Sequence, residues 1–244
     1  MTFQVQPAFR HDKRHTLPLA DAPMPPGRVA VPVWDLPTRV FHWLLVIAVV
    51  VAWITAELPG AGFVLHKLAG YAIGAALIFR VIWGFIGSPH SRFADFVRPW
   101  SEIAAHGRML LRLRPPHSIG HNAIGGWMIA ALLAALAVIV ATGLFAASRR
   151  VAGPLADMIP LTMARLIAGL HEAAFNVLLV LVTVHVLGVV VDMVLHRENL
   201  IGAMWSGRKC IDAQDARAER PFKPLWWAVA AAAVATIAIG WIVL

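Results

Sequence analysis

The sequence predicts an all-α integral membrane protein: a four-helix transmembrane bundle with a fifth, C-terminal transmembrane helix. Three observations predict it. Hydrophobic residues make up 59% of the 244-residue chain and its mean hydropathy is +0.72, above the roughly half-apolar composition of soluble domains. The apolar residues gather in five runs of about 20 residues or more, each able to cross a hydrocarbon layer about 30 Å thick. The formal charge of +8 lies in the connections between these runs, so it reads as membrane topology rather than as a nucleic-acid footprint.

Residues 1–36 form a polar, proline-rich tail without the short apolar core of a cleaved signal peptide. The helices are expected over residues 37–56, 66–86, 121–146, 170–195 and 225–244. Residues 37–207 make the four-helix unit. Residues 208–224, rich in Arg, Lys, Asp and Pro, make a charged linker to the added helix. Trp226, Trp227 and Trp241 bracket that helix as interfacial anchors. Cys210 is the lone cysteine, which excludes an intramolecular disulfide, a cysteine-held iron–sulfur cluster and a Cys-x-x-Cys-His haem attachment.

The loops set orientation. Arg10, Lys13, Arg14 and Arg28 precede the first helix, and Arg92, Arg98, Arg108, Arg112 and Arg114 fill the second connection. Arg197, Arg208, Lys209, Arg217, Arg220 and Lys223 fill the fourth. The first connection carries no Lys or Arg, and the third carries Arg149, Arg150 and Arg165. The bias places the N-terminal tail and the second and fourth connections in the cytoplasm and the C-terminus outside, with Arg149 and Arg150 as the dissenting charges.

Within this frame the histidines carry the chemistry. His171 and His185 lie 14 residues apart in one apolar run. That spacing is about 21 Å of helix and about 40° short of four full turns. Both imidazoles therefore leave nearly the same face at opposite depths of the membrane. Two stacked metal centres suit this better than one, and haem iron is the metal that uses lone axial histidines. His42 opens the first helix on the inner side and His66 opens the second on the outer side. The level-matched pairs are His66 with His171, outer, and His42 with His185, inner. Each pair can sandwich one haem b between facing helices. Ionisable residues inside a membrane are costly and mark function, although any one of these alone reads as an interface residue. His121, at the start of the third helix, is a substitute for His42 or a residue of the solvated, quinone-facing end. His11, His15, His90, His106 and His117 read as solvated loop residues.

Arg80 follows His66 by 14 residues and so shares its face at the cytoplasmic level. It either meets haem propionates or snorkels to the headgroups, and propionate contact is the favoured reading. Gly70, Gly74, Gly125, Gly126 and Gly143 permit close approach of a macrocycle or of a neighbouring helix. Asp192 is a helix-end carboxylate or a proton relay to quinone, and Glu172 belongs at the outer interface.

The segment from Val33 to Trp43, Val-Trp-Asp-Leu-Pro-Thr-Arg-Val-Phe-His-Trp, resembles the opening of bacterial cytochrome b561. This superfamily includes the b-type cytochrome subunit of Ni/Fe-hydrogenases. The run from His66 to Tyr71 and the run from Phe79 to Phe85 are similar to its second helix, and His171 with His185 to the ligand pair of its fourth. The resemblance covers residues 33–207. It implies two non-covalent haems b per chain, held by His42, His66, His171 and His185, and electron exchange with membrane quinone. The expected protein is an electron-transfer cytochrome, or a quinone oxidoreductase, of the bacterial inner membrane. Its outer partner would be a periplasmic redox protein: a c-type cytochrome or a hydrogenase-like enzyme. A free-standing quinone reductase using a small reductant, a histidine-lined divalent-metal transporter and a haem-free anchor subunit are the alternatives. The added helix would dock a partner or a second copy in a homodimer.

Overall fold

The computed structural model describes residues 27–113, 116–148, 151–213 and 220–243. The expectations for Arg10, His11, Lys13, Arg14, His15, Arg114, Arg149, Arg150 and Arg217 lie outside the described residues. Five helices are long and apolar enough to cross a membrane: α1 (Leu36–Thr55), α2 (Ala61–Ile86), α5 (Ala123–Phe145), α6 (Leu161–His196) and α8 (Leu225–Val243). Short helices α3 (Phe93–Phe96) and α4 (Trp100–Leu111) lie between α2 and α5, and α7 (Leu200–Ser206) follows α6.

Local chemistry explains the helix starts. Asp35 caps α1 by accepting from the Thr38 amide at 2.9 Å, with Pro37 in the first turn, where a missing N–H costs nothing. Asn122 caps α5 by accepting from the Gly125 amide at 2.7 Å. Pro160 opens α6. That helix starts at Leu161 and not at residue 170, so the expected boundary is corrected. Thr162, Arg165 and Gly169 interrupt the apolar run without interrupting the helix. Its 36 residues rise about 54 Å, more than a hydrocarbon core of about 30 Å, so α6 extends past the membrane. α2 likewise starts at Ala61, which places His66 inside the helix instead of at its first residue.

α2 is the central helix. It packs against α1, α5 and α8, while α5 packs against α6. The packing of α6 against α1 and α2 is slight by comparison. One apolar cluster joins the four bundle helices at mid-depth: Ala48 of α1, Ile73 and Leu77 of α2, Leu136 of α5 and Leu178 of α6. The fifth helix is not a detached appendage. Ala228, Ala231, Ala235 and Ile239 form its buried stripe, and Ile239 together with Val140 of α5 packs onto Gly74 of α2, where an added Cβ would lie 2.8 Å from the Ile239 side-chain tip. Gly74 is therefore a helix-packing residue.

Two strands modify the all-helical expectation. β1 (Arg28–Pro32) pairs antiparallel with β2 (Arg208–Asp212), so residues 208–212 are a strand and not part of a linker. The ribbon covers a small core of Val31, Val33, Trp34, Ala203 and Ile211. Gly207, at φ +85°, accepts from the amides of Val33 and Trp34 at 2.8 and 3.0 Å, joining the entry to α1 to the exit from α6. A Cβ at Gly207 would lie 2.7 Å from the Trp34 carbonyl oxygen, so both the backbone angle and the close approach require glycine. The ribbon marks one end of the bundle, and the turns around Gly60 and residues 151–160 mark the other.

Asp35 ties α1 to α2, since its second carboxylate oxygen accepts from Trp83 Nε1 at 3.0 Å and both side chains are buried. Asp35→Ala removes a helix cap and strands a buried indole N–H. The expected loss is about 2–4 kcal/mol of stability, from about 1 for the cap and about 1–3 for the unpaired donor. Denaturant unfolding in detergent micelles measures it, and Asp35→Asn should lose less.

Candidate functional site

His66 and His171 meet near the end of the bundle opposite the ribbon. Their ring centres are 6.2 Å apart and their planes cross at 75°. His66 Nδ1 bonds the Ala52 carbonyl at 2.8 Å, and His171 Nδ1 bonds the Ile139 carbonyl at 2.9 Å, with Thr142 Oγ1 at 3.2 Å. A carbonyl only accepts, so Nδ1 carries the hydrogen in both rings and Nε2 keeps the lone pair. Metal-ligating histidines are oriented in this way. Two imidazoles on opposite sides of one metal, each bonded at about 2 Å, have ring centres about 6 Å apart. The residues of this pair fit a haem iron in donor type, tautomer and separation.

The surroundings fit as well. Gly143 lies beside His171, where a Cβ would come within 3.0 Å of the ring. Gly70, one turn along from His66, has open space where its side chain would be. Phe63 stacks on His66 with ring centres 5.7 Å apart. Gly125 and Gly126 serve other ends: the first sits under the Asn122 cap, and the second lets the Phe96 backbone touch α5.

The ribbon-side level is built differently. His42 of α1 and His185 of α6 lie within electrostatic range of each other, and His121 within range of both Arg80 and His185. His42, His66, His171 and His185 are all half-buried. Arg80 is only 3% exposed and does not snorkel. Its guanidinium lies over the rings of Phe93 and Phe96, at 5.1 and 5.4 Å. Asp35 offsets its charge from nearby, but the Asp35 oxygens serve the Thr38 amide and the Trp83 indole. Arg80 Nη1, His42 Nδ1, His121 Nδ1 and Thr38 Oγ1 are buried without a hydrogen-bond partner. A buried guanidinium nitrogen without an acceptor is the counterpart of a carboxylate such as a haem propionate. His121 is not solvated: its ring lies 4.5 Å from that of Trp34 and 5.3 Å from that of Phe96.

A polar cluster at the ribbon end was not legible in the sequence. Glu198 bonds Lys209 Nζ at 3.0 Å and also His117 Nε2, and Lys209 donates to the Ser118 carbonyl at 2.9 Å. The Glu198 and Lys209 side chains are 7% and 5% exposed. Asp192 pairs with His196 at 3.0 Å, consistent with a helix-end carboxylate. His106 is buried and His90 half-buried, which corrects their reading as solvated loop residues, whereas His117 is exposed in a loop and bonds Glu198. Glu172 is exposed at the opposite end. No local spacing joins residues 117, 198 and 209, because the second and fourth connections bring them together.

Five apolar helices among the described residues, each long enough to cross a membrane, define a multi-pass membrane protein. Residues 33–207 match the family of prokaryotic cytochrome b561, and the chain belongs to it. It is therefore a b-type cytochrome of an electron-transfer family, and haem b is the cofactor of that family. The chain is 28% identical over 212 residues to the probable Ni/Fe-hydrogenase B-type cytochrome subunit of Azotobacter vinelandii, covering 74% of this chain and 88% of the relative. It is 30% identical over 122 residues to the protein of the same name from Azotobacter chroococcum mcd 1, covering 40% of this chain and 51% of that one. The corresponding protein of Bradyrhizobium diazoefficiens is 24% identical over 217 residues, 75% of this chain and 87% of the relative. No solved structure matches the chain.

The ribbon-end cluster makes stability depend on pH. Burial pushes the Glu198 carboxyl up, but Lys209 and His117 outweigh it and hold the carboxyl below its ordinary value. Burial also lowers His106 below the usual histidine range. In both cases the unfolded chain binds more protons than the folded one, so stability rises with pH. The His106 contribution is lost as pH falls from about 6.5 through its lower folded value, and that of Glu198 as pH falls from about 4.3 through its own lower folded value. Protection factors of the β1, β2 and α7 amides, their exchange rates referred to the intrinsic rates at each pH, should fall in two stages from pH 7 to pH 3. Glu198→Gln should remove the more acidic stage.

Proposed function

We propose that this chain is a di-haem b-type cytochrome that moves electrons across the bacterial inner membrane between a periplasmic redox enzyme and membrane quinone. The observation that carries the reading is the facing His66 and His171 rings, each with Nδ1–H bound to a carbonyl and Nε2 left free. Haem supplies reversible one-electron chemistry at iron when bound. His66 and His171 hold the outer group, and Ala52, Ile139 and Thr142 fix their ring orientations. His42 and His185 hold the inner group, with Arg80 as the cation for its carboxylates. The mid-depth cluster around Leu178 and Leu136 excludes water between the two levels.

The ribbon end faces the cytoplasm in this reading. Arg28, Arg92, Arg98, Arg108, Arg112, Arg197, Arg208 and Lys209 lie at that end, against Lys67 and Arg165 toward the other. Relatives named as Ni/Fe-hydrogenase subunits favour a hydrogenase-like enzyme as the outer partner over a c-type cytochrome. A divalent-metal transporter needs three or more converging donors. Among the described residues no three His, Cys, Asp or Glu side chains form such a group.

Pyridine haemochrome against protein concentration tests the reading, with two b-type haems per chain expected. One haem would make one level structural, and none after haem-replete expression would end the proposal. His185→Ala should remove the ribbon-side haem alone. Gly143→Val should displace His171 and remove the opposite one alone. Each variant should keep about half of the b-type absorbance, and loss of both haems together in either would overturn the two-site arrangement.

A further inference from the structure

His171, Leu178 and His185 share one side of α6, turned toward α5 and the rest of the bundle. The opposite side is exposed. From Ala173, alternating steps of three and four residues pass through Asn176, Val180, Thr183, Leu187 and Val190, and every one of these side chains is exposed. Asn176 stands about 140° around the helix from His171 and about 180° from His185. The stripe is about 26 Å long, which fits within a hydrocarbon core about 30 Å thick. Its spacing is the seven-residue repeat of helices that pair along a left-handed seam.

Asn176 is out of place on a surface that faces lipid. It lies two residues, about 3 Å of rise, from Leu178 at mid-depth. The nearest boundary of the hydrocarbon core is then about 12 Å away, beyond the reach of so short a side chain. The threonines of the spans are satisfied within their own helices. Thr55, Thr142, Thr183 and Thr236 each donate to the carbonyl four residues back, at 2.6–2.9 Å. The Asn176 amide carries two N–H donors and an acceptor, and it makes no hydrogen bond to any described residue. Hydrocarbon supplies no partner, so a polar group left alone at this depth is costly.

We infer that this stripe is the interface of a homodimer, in which α6 packs along α6 of a second copy and the two Asn176 amides bond each other across the two-fold axis. The amide is self-complementary, since Nδ2 donates and Oδ1 accepts. Copies of one chain insert in the same orientation, so a second copy brings its own Asn176 to the same depth. A two-fold axis along the membrane normal then sets like residues face to face. Any other partner would have to carry a polar group to that level independently. Helices in lipid gain no hydrophobic drive from pairing, so a fitted seam and a polar pair decide association. A single Asn in such a repeat also fixes register and oligomer state. The buried stripe of α8 packs on α2 and is not free for this role. Pairing through the outer side of α6 leaves both histidine levels undisturbed.

The test cross-links the full chain in membranes of haem-replete expressing cells, with Cys210→Ser removing the native thiol. Val180 and Val186 are 63% and 52% exposed and stand about 120° apart around α6. Oxidation with copper phenanthroline should join Val180→Cys into a covalent dimer, identified by mass spectrometry as two copies of this chain, and should leave Val186→Cys unjoined. Sedimentation equilibrium of the solubilised wild type should give twice the 26.5 kDa chain mass. Asn176→Leu, an exposed change to an apolar side chain, should weaken that dimer about tenfold at unchanged b-type absorbance. Asn176→Gln, which keeps the amide, should weaken it less. Cross-linking at Val186 equal to that at Val180 overturns the assignment, and so does a dimer of unchanged affinity in Asn176→Leu. A wild type that is monomeric in detergent while Val180→Cys stays unjoined in the membrane also overturns it. A Val180→Cys product joined to a different polypeptide replaces the second copy with that partner and ends the inference.

Discussion

The spacing of His171 and His185 along a single rigid helix is the constraint around which the bundle is arranged. Helix geometry alone puts these side chains about 21 Å apart in depth on nearly one face. Any partner for them must come from a neighbouring helix at the matching level. α2 supplies His66 five residues after its start, and α1 supplies His42 six residues after its start, because the two helices run in opposite directions. The same logic explains why α6 leans on α5 and only lightly on α1 and α2. Close packing all along that interface would leave no room between the imidazoles, whereas the contact concentrated around Leu178 holds the helices together between the two levels.

Holding α1 and α6 at a fixed distance with little direct packing needs a constraint elsewhere, and the ribbon end provides it. The β1–β2 pairing, the two amides bound to the Gly207 carbonyl and the Glu198–Lys209 pair connect the chain before α1 to the chain after α6. Surface ion pairs contribute little, but this one is almost fully buried and also binds His117, so breaking one partner leaves an uncompensated charge. Sequence distance is no guide to such a clasp.

The five spans were legible in the sequence because they follow from the apolar run length and the 1.5 Å rise of a helix. Helix ends were less so. Leu161 to Gly169 carry Thr162 and Arg165 and break the hydropathy pattern, yet they extend α6 because helical hydrogen bonding ignores polarity outside the bilayer. The strand at residues 208–212 was hidden for a related reason: Arg208, Lys209 and Asp212 flank Cys210 and Ile211 in a run too short and too charged to stand out from a linker. Arg80 was recognised as an inward-facing cation. Its place over Phe93 and Phe96 and within electrostatic range of Asp35 depends on residues of α3 and of the α1 cap that no periodicity joins to it.

The two histidine levels differ in how much they depend on a bound group. At the His66 and His171 level every ring Nδ1 has a carbonyl partner from the protein itself, so the rings are oriented before anything binds. At the ribbon-side level His42, Arg80, His121 and Thr38 each keep a buried polar atom unpaired, as do Arg39 and Trp43 around the other side of α1. Each unpaired buried donor or acceptor costs about 1–3 kcal/mol. That cost is concentrated at one end of the bundle, where ligands bringing oxygen acceptors would recover the most. The opposite end is preorganised, which favours a site that holds its group rigidly against an exchanging partner. The ribbon-side end keeps buried polar atoms that no protein group pairs, so its side chains are less firmly oriented by the chain itself.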